Sequence, residues 1–494
     1  MNKIVVAFLI YSLIFFGFLL SSEEADILWL VSFEEELSLE EVSKIALDNS
    51  LDIQIVKFDL YLKKVSLQKA NSVFDSFLEA GLGYKDDKKV PVSSLFGTES
   101  KELSYSAGLL KKFSHGTTLQ VGLQGNNVDT NSEFVEENPQ EEAIINISIS
   151  QSLGKNIFGI SDKATIKITK KDIENSRFTS LDALEGVLYS VQKAYWMLVL
   201  KQEHCEIKTD ALRKSQELFE IYKKKYEIGL AEKVDVIAIE STVKIRATEL
   251  LIADLEVELA RSALLFLLNC PDMSLPIIAK DSLETDASVI TVDEALKEAI
   301  DARRDYKRVK NLIEMNKIEL AVKKNALWPQ IDLQASLTKN GITSSFADSW
   351  QDLYQENNNE VFVGISFKVS LENRLSKAEL DETKYSKEQL LLSFRKTERL
   401  VLKEVYDAVL QINMNKKVFI TASQVALLQQ EKLAEEMKRF KAGRSSSDII
   451  IRYENDVLDA KLSYREALFA YRISLLELEL VKNSLLDSYW ENLL

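Results

Sequence analysis

The chain has 494 residues, enough for two or three ordinary domains, but only 5 prolines and 15 glycines. So few breakers of regular structure favour long uninterrupted elements over several loop-rich domains. The formal net charge of −15 argues against a nucleic-acid partner and against binding to an anionic lipid surface, because both require basic patches. This charge indicates a solvated acidic surface or an acidic channel.

The N-terminal residues 1–22 have the pattern of a secretory signal peptide. Lys3 precedes an apolar run over residues 4–20, and small and acidic residues follow up to Ala25. We expect cleavage within residues 21–25. An uncleaved anchor helix is the alternative, since the apolar run is near the lower length limit for crossing a membrane. No cysteine stands near this point, which excludes a lipoprotein anchor.

Helix-start signals follow and recur in the second half of the chain. Ser38 with Glu41 forms a capping-box pattern, and Thr291 with Glu294 repeats it. Second helices are predicted after each start, over residues 51–74 and 305–327. The recurrence indicates an internal duplication.

After these helices the hydrophobic period changes to two, which predicts β-strands with two unlike faces. The clearest strands lie at residues 78–84, 145–150, 331–337 and 361–367, within strand regions 77–151 and 331–371. Apolar side chains alternate there with small or polar ones, as in membrane strands with lipid outside and a wet lumen inside. The same alternation fits an ordinary sheet with one buried face. The signal peptide favours the membrane barrel.

The first strand region holds about 37 residues without a counterpart in the second. They include two further alternating runs, 103–110 and 117–124. As barrel strands these runs would give each chain six strands and a wider pore, and otherwise they would fold outward as a flap. Both are short for barrel strands, which need about 9–11 residues, so we favour a flap or an extended hairpin. Polar loops are predicted over residues 85–100, 126–142 and 340–360.

Two very long helices are predicted over residues 163–228 and 377–442. Neither contains proline, and each ends near a glycine, Gly229 or Gly443, which tolerates the left-handed conformation that closes a helix. Apolar residues then recur every seven positions in both returning helices, starting at Val236 and at Ile450. The sequence therefore predicts two long coiled-coil hairpins with tips near residues 229 and 443.

These elements predict a mainly α-helical, duplicated architecture with membrane β-strands. The first repeat covers residues 38–285 and the second covers 291–494, each with short helices, strands and a long hairpin. Two groups of strands and two hairpins do not close a barrel by themselves. We therefore expect several copies of the chain to assemble.

Residues suited to catalysis or metal binding are scarce. Cys205 and Cys270 are expected roughly 25 Å apart along the first hairpin, too far for a disulfide. With His115 and His204 as the only histidines, the sequence assembles no metal cluster and no pair of nucleophile and base. We expect no enzymatic activity, no cofactor and no metal.

Several short motifs surround the two tips and the strands. They are Tyr226, Gly229, Asp235 and Val236 at the first tip, Phe440 and Gly443 at the second, and segments 149–153 and 326–331 beside the strands. In order, duplication and spacing, the whole mature chain resembles the TolC family of outer-membrane efflux proteins. No one of these motifs is specific by itself.

The resemblance implies a homotrimer. Its strands would merge into one β-barrel within outer-membrane lipid, and its helices would continue as an α-barrel across the periplasm. It implies a passive exit duct for drugs or other substrates, in tripartite efflux or type I secretion. The tips, at Tyr226, Gly229 and Gly443, would dock a periplasmic adaptor (membrane fusion) protein that connects to an inner-membrane transporter. The partner transporter would select the cargo, so the substrate is not readable from this chain.

The resemblance also implies an entrance gate at the tips. Asp235 would pair with groups on the second hairpin, where the aromatic partner, usually tyrosine, is Phe440 and cannot hydrogen-bond. Arg444 lies one residue after its glycine instead of two, so we infer a one-residue deletion and expect Arg444 to hold Asp235. An aspartate ring would begin at Asp448. Plain capping of the returning helices is the alternative role for Asp235 and Asp448.

Two other functions fit the same elements. One is a stand-alone outer-membrane porin or secretion channel, which would share the barrel without needing the tips. The other is a structural periplasmic coiled-coil protein, which would not need alternating strands.

Overall fold

In a computed structural model, the structure describes residues 36–90, 97–285, 290–487 and 489. The expected signal peptide lies outside these residues. The chain divides into two compact units. The first comprises the described parts of Met1–Asp59, Thr179–Arg304 and Thr397–Leu494, and the second comprises those of Leu60–Phe178 and Asp305–Lys396.

In the first half of the chain, the described residues form two short helices and one long hairpin. They are α1 (Leu39–Asn49), α2 (Leu51–Asn71), α3 (Ile160–Glu227) and α4 (Lys233–Leu267). The capping box predicted at α1 is confirmed, because the Ser38 amide donates to Glu41 Oε2 at 2.7 Å and the Glu41 amide donates to Ser38 Oγ at 3.4 Å. Helix α3 has 68 residues and starts three residues before the predicted position.

The second half repeats this order with one addition. Its helices are α5 (Val292–Ala302), α6 (Arg304–Asn325), α7 (Phe346–Gln355), α8 (Arg374–Lys441) and α9 (Ser447–Lys482). Helix α8 has 68 residues, as α3 does. At α5 only part of the predicted capping box forms, since Thr291 Oγ1 donates to Glu294 Oε2 at 2.6 Å. Across the described ranges, none of the helices combines the length and apolar character needed to cross a membrane.

Helix α7 corrects the prediction of a loop over residues 340–360. Its apolar and small residues Phe346, Ser349, Trp350 and Leu353 follow the spacing of one helical face, and Ser349 and Leu353 are buried. The polar residues around this ten-residue segment made its helical spacing of apolar residues hard to recognise in the sequence. The helix leads from one strand into the next.

The first unit has a continuous apolar core along α3, α4, α8 and α9. Leu188, Tyr195, Leu264, Ile412 and Tyr471 are among its fully buried side chains. They recur at helical spacing on facing helices, as expected for packed coiled coils. Short strands β1 (Glu36–Leu37) and β6 (Ile278–Ala279) pair in parallel beside this core.

A buried carboxylate organises the end of α9. Glu185 is fully buried and accepts hydrogen bonds from Arg304 Nη1 at 2.5 Å, Asn483 Nδ2 at 2.8 Å and the Leu485 amide at 2.8 Å. Burial raises the pKa of Glu185, and the Arg304 guanidinium opposes that rise. A buried charge needs such partners, so this cluster fixes the chain where it leaves α9.

The second unit is built on a six-stranded antiparallel sheet. Its strands are β2 (Ser76–Asp87), β3 (Ser100–Lys112), β4 (Thr117–Thr130), β5 (Gln140–Ser152), β7 (Gln330–Thr343) and β8 (Asn359–Lys368), paired in this order. Among the described residues, β2 and β8 each pair on one side only.

Strands β3 and β4 show that the flap favoured from the sequence is wrong. They lie inside the sheet, and each pairs with a strand on both sides along nearly its whole length. Their 13 and 14 residues exceed the predicted runs, because the ladder continues through polar and glycine residues that break the apolar alternation. Pairing on both sides satisfies backbone groups that a flap would leave exposed.

The ladder register gives the sheet two unlike faces. Residues opposite each other share a face, so the row Leu109–Val121–Ile147–Leu337–Val361 is apolar across five strands. Its neighbours one residue along are small or polar, as at Gln120, Ser148 and Ser336. Large apolar side chains on the first face stay exposed, including Ile147, Leu337 and Val361. We call the face that carries this row the apolar face and the opposite face the polar face.

Candidate functional site at the hairpin tips

The two hairpins turn through the same backbone motif. Gly229 has φ +76° and Gly443 has φ +72°, in the left-handed region that favours glycine. Each glycine amide donates to the carbonyl three residues earlier at 3.0 Å, and the next amide reaches five residues back, from Leu230 to Lys225 and from Arg444 to Arg439. This pair of bonds is the Schellman motif, and it ends both outgoing helices identically.

A small apolar cluster joins the two hairpins just behind these turns. It consists of Leu218, Tyr222, Ile239, Phe440 and Ile450, one or two residues from each of the four helices, and we call it the tip cluster. All five side chains are buried. The tip cluster is separate from the main core of the unit.

Phe440, which was expected to have lost a hydrogen-bonding role, instead stacks on an aromatic ring. Its ring centroid lies 5.9 Å from that of Tyr222 with an interplanar angle of 22°. Lys225 Nζ lies 4.8 Å from the Phe440 centroid and 5.1 Å from the Tyr222 centroid. Aromatic stacking and cation–π contact each contribute about 0.5–1.5 kcal/mol, so the three residues connect the hairpins without a phenolic hydroxyl at position 440.

Asp235 bonds both within its own helix and across to the other hairpin. Its Oδ2 accepts the Glu232 amide at 3.2 Å, which caps α4. Its Oδ1 accepts from Ser447 Oγ at 3.5 Å, and Ser447 is the buried first residue of α9. Burial raises the pKa of the Tyr222 hydroxyl, while hydrogen bonds with Ser447 oppose the rise and the Asp235 carboxylate adds to it. Ser447 therefore stands between Tyr222 and Asp235.

The other predicted gate and docking residues lie at the surface. Arg444, Asp448 and Tyr226 are exposed. Within the described chain no ion pair joins Arg444 to Asp235, so the partner of Asp235 across the hairpins is a serine instead of the expected arginine. Arg444 directly follows the turn glycine, Gly443, and its side chain is exposed to solvent.

Sequence reasoning missed Tyr222, Lys225 and Ser447. Tyr222 lies one helical turn before Tyr226, and the spacing of four makes the two rings neighbours along α3, which is a signal that could have drawn attention to it. Ser447 ends a run of three serines and is the first residue of α9, and the neighbouring Asp448 drew attention away from it. Comparing the two repeats position by position drew attention to Tyr226 and away from the buried ring.

A polar layer separates the tip cluster from the main core. A cavity of about 40 Å³ lies there, lined by apolar groups and by Asp210, Lys214, Arg246 and Glu454. Burial raises the pKa of Glu454, and Lys214 and Arg246 oppose the rise. A polar cavity of this size has room for water. The apolar packing between the hairpins is therefore interrupted at this level.

Over the residues that the structure describes, no group of three or more His, Cys, Asp or Glu side chains is placed to hold a metal ion. The tips offer apolar contact, hydrogen bonds and charge around a turn. Such groups suit holding two hairpins together or contacting another protein.

Comparisons with known proteins place this geometry in context. No protein-family model matches the sequence, and no curated protein is similar to it. Solved structures do match. The Campylobacter jejuni CmeC outer membrane channel aligns with a TM-score of 0.66 at 14% identity, covering 90% of this chain and 85% of that one. The chain shares its fold with outer-membrane channels.

Two further structures support the same assignment. The outer membrane protein VceC of Vibrio cholerae aligns with a TM-score of 0.64 at 15% identity, covering 90% of this chain and 95% of that one. The open state of the Neisseria gonorrhoeae MtrE outer membrane channel aligns with a TM-score of 0.65 at 15% identity, covering 90% and 89%. The resemblance to the TolC family drawn from the sequence is thus confirmed for the fold.

Proposed function

We propose that this chain is a passive exit duct of the outer membrane that works in tripartite efflux or type I secretion. Three copies would form one channel, with the strands in the outer membrane and the hairpins in the periplasm. Drugs or other substrates would enter at the tips from a periplasmic adaptor and an inner-membrane transporter. The observation that carries the proposal is a sheet with one apolar and one polar face and two open edges, in a chain with the fold of outer-membrane channels.

The polar face supports contact with water inside a lumen. Neighbouring strands exchange side-chain hydrogen bonds there, from Asn146 Nδ2 to Thr338 Oγ1 at 2.7 Å and from Ser152 Oγ to Asp332 Oδ1 at 2.9 Å. The apolar face offers exposed Ile, Leu and Val side chains along five strands. This division of faces is the one that a barrel in lipid requires.

The open edges support closure by further copies of the chain. Exposed edge strands present unpaired backbone groups that favour pairing with another strand. Six strands from each of three chains would form an eighteen-stranded barrel through contacts between β2 and β8. Barrels of about 16–18 strands enclose an aqueous channel, so this duct would be wider than one built from four strands per chain.

The tips support an entrance that opens and closes. We propose Asp235, Phe440, Arg444 and Asp448 as residues of the gate. The contact of Asp235 with Ser447 and the stacking of Phe440 on Tyr222 would hold the closed form. Arg444 and Asp448 would face solvent or a neighbouring copy.

Docking of the adaptor is proposed at the exposed turns. Tyr226, Gly229 and Gly443 lie at or beside the two left-handed residues, where a Cβ on either glycine would meet nothing nearby. Such open turns offer backbone and aromatic surface to a partner. Because the two turns share one motif, a repeating adaptor would find the same contact on each hairpin.

Purification in detergent followed by mass measurement and planar-bilayer recording tests the proposal. We expect a trimer that conducts ions, together with an adaptor protein that co-purifies from the native membrane. A monodisperse monomer that conducts would overturn the trimer. A protein extracted from the periplasm without detergent, with no conductance, would instead favour a structural coiled coil.

A stand-alone porin or secretion channel is separated from the duct by its partners. It would conduct as a trimer, but no adaptor would co-purify, and substitutions at Tyr226 would leave export unchanged. For the duct, Tyr226→Ala should weaken adaptor capture while leaving conductance in a bilayer unaltered. The two readouts together distinguish the candidates.

A further inference from the structure

Helix α7 lies on the apolar face of the sheet, at the end where the long loops connect the strands. It follows Thr343 at the end of β7 and precedes Asn359 at the start of β8. Strand β2 ends and β3 begins at this same end of the sheet, and residues 131–139 connect β4 to β5 there. The helix therefore covers the loop end of this face, while Ile147, Leu337 and Val361 further along it are exposed.

A row of small residues makes room for the helix. The ladder aligns Gly125, Ala143 and Gly341 on the apolar face of three neighbouring strands. A Cβ on Gly341 would lie 2.3 Å from the Ser349 carbonyl oxygen, and Ala143 is fully buried. Large side chains occupy the next rows of this face, so the small residues mark the footprint of α7.

Aromatic residues fasten the helix to the sheet. Tyr105, in the same row, lies over Gly125, where a Cβ would meet its ring at about 2 Å. Trp350 Nε1 donates to Tyr105 Oη at 3.3 Å, and the Phe346 ring centroid lies 5.7 Å from that of Tyr105. Tyr and Trp combine an apolar ring with a polar atom, which suits the boundary between lipid and water.

A lysine on the apolar face donates two hydrogen bonds to the helix. Lys339 Nζ donates to the carbonyl oxygens of Leu353 at 3.2 Å and Glu356 at 3.4 Å. These bonds satisfy carbonyls at the C-terminal end of α7, where a cation is also favoured by the helix dipole. The charge is thereby kept at the edge of the apolar rows.

The apolar rows below α7 match the thickness of a membrane. From Ile331 to Lys339 the strand advances eight residues, which is about 27 Å at ~3.4 Å per residue. At a tilt of ~35–45° this corresponds to a height of about 20 Å, close to the ~25 Å apolar band of outer-membrane barrels. The helix lies directly beyond that band.

We propose that α7 is an interfacial helix that rests in the headgroup region of the outer leaflet, on the lipid side of the strands. This inference rests on the proposed function, because it requires the apolar face to contact lipid. The outward side of α7 carries exposed Gln351 and Tyr354, and Tyr354 is 85% exposed. Polar and aromatic groups bind headgroups, whereas acyl chains would exclude Gln351.

Position-specific lipid quenching tests the proposal. Single cysteines are introduced in a Cys205→Ala, Cys270→Ala background, labelled with an environment-sensitive fluorophore, and reconstituted as the full chain in phosphatidylcholine vesicles. Tyr354→Cys reports on α7. Leu337→Cys reports on the apolar rows, and Gln334→Cys on the polar face serves as the matched control. Spin labels at the headgroup or at mid-chain quench the fluorophore.

The expected result is quenching of the Tyr354 label about twofold or more stronger by headgroup spin labels than by mid-chain ones, with the reverse order at Leu337. No lipid quenching at Tyr354, or stronger quenching by mid-chain labels, overturns the interfacial position of α7 while the proposed channel stands. No lipid quenching at Leu337 overturns the membrane position of the sheet, and the inference fails with it.

Discussion

At the scale of single residues, the tips show how one contact is replaced by another. A phenylalanine at position 440 loses a hydroxyl but keeps an aromatic face, which stacks on Tyr222. Ser447 on the opposite hairpin opposes the rise that burial causes in the pKa of the Tyr222 hydroxyl, which indicates that the two groups interact. The hairpins stay joined because stacking and hydrogen bonding are divided between two residues.

Tyr222→Phe removes the hydroxyl and keeps the stacked ring. A hydrogen bond of this kind contributes about 0.5–1.5 kcal/mol, so the closed-to-open ratio of the proposed channel should fall about two- to tenfold. Single-channel recording measures that ratio. Tyr406→Phe, an exposed tyrosine on α8 away from the tips, is the matched control and should leave it unchanged. Equal effects of the two changes would contradict a specific role for Tyr222.

Two double-mutant cycles identify the partner of Asp235. Asp235→Ala with Ser447→Ala should show a coupling energy of about 0.5 kcal/mol, because the two side chains touch. Asp235→Ala with Arg444→Ser should be additive, since these residues form no ion pair within the described chain. The free energy of channel closure gives both values. A coupling energy between Asp235 and Arg444, with none between Asp235 and Ser447, would show that Arg444 contacts Asp235 in the assembled protein.

The polar layer makes stability depend on pH through Glu454. Burial raises its pKa above the ordinary value of 4.5, so the folded state holds this proton more tightly than the unfolded state. The protonated Glu454 side chain therefore stabilises the folded state below about pH 4.5, and this contribution is lost as the pH rises through the raised pKa. Glu454→Gln should therefore raise the melting temperature at pH 7 and weaken its dependence on pH, because the amide carries no charge that burial opposes.

Thermal unfolding followed by circular dichroism from pH 4 to pH 8 measures this effect. Glu431→Gln, an exposed position on α8, removes the same charge without a buried environment. A melting temperature that shifts equally in both variants would assign the effect to net charge instead of burial.

At the scale of elements, the sequence predicted where β3 and β4 lie along the chain but not their length or their place in the sheet. The period of two identified both strands, but their length and place in the sheet depend on pairing with β2 and β5. Residues such as Gly122, Gly125 and Asn126 break the apolar alternation while fitting the ladder. Pattern alone therefore underestimated the strands and favoured a flap.

Val121→Lys and Gln120→Lys test whether β4 spans lipid. Val121 lies in the apolar row with Leu109, Ile147 and Leu337, and Gln120 is its neighbour on the polar face. A lysine facing lipid near the middle of a membrane costs about 2–4 kcal/mol, so Val121→Lys should sharply reduce the yield of assembled trimer. Gln120→Lys should assemble normally.

The yield of heat-modifiable trimer in outer-membrane fractions measures both variants. Equal tolerance of the two lysines would place β4 in water, as in the flap that the sequence favoured. Because the two positions are adjacent in one strand, local folding effects are shared and cancel in the comparison.

At the scale of the whole molecule, duplication made the helices predictable. Heptad spacing and the two glycines located both hairpins, and α3 and α8 begin within three residues of the predicted positions. Side-chain partners at the tips did not follow from the same pattern. They depend on which helix faces which, and the contacts of Tyr222, Asp235 and Ser447 join positions more than 200 residues apart.

Because the tip cluster is separate from the main core, mutations at the tips and mutations along the hairpins can accumulate independently. Five buried side chains hold the tips, and a polar layer stands between them and the main core. Substitutions in distant, unconnected clusters add independently, so a new docking turn need not be compensated along the hairpins. The tips of the two hairpins are thus free to change sequence while the helices behind them keep their packing.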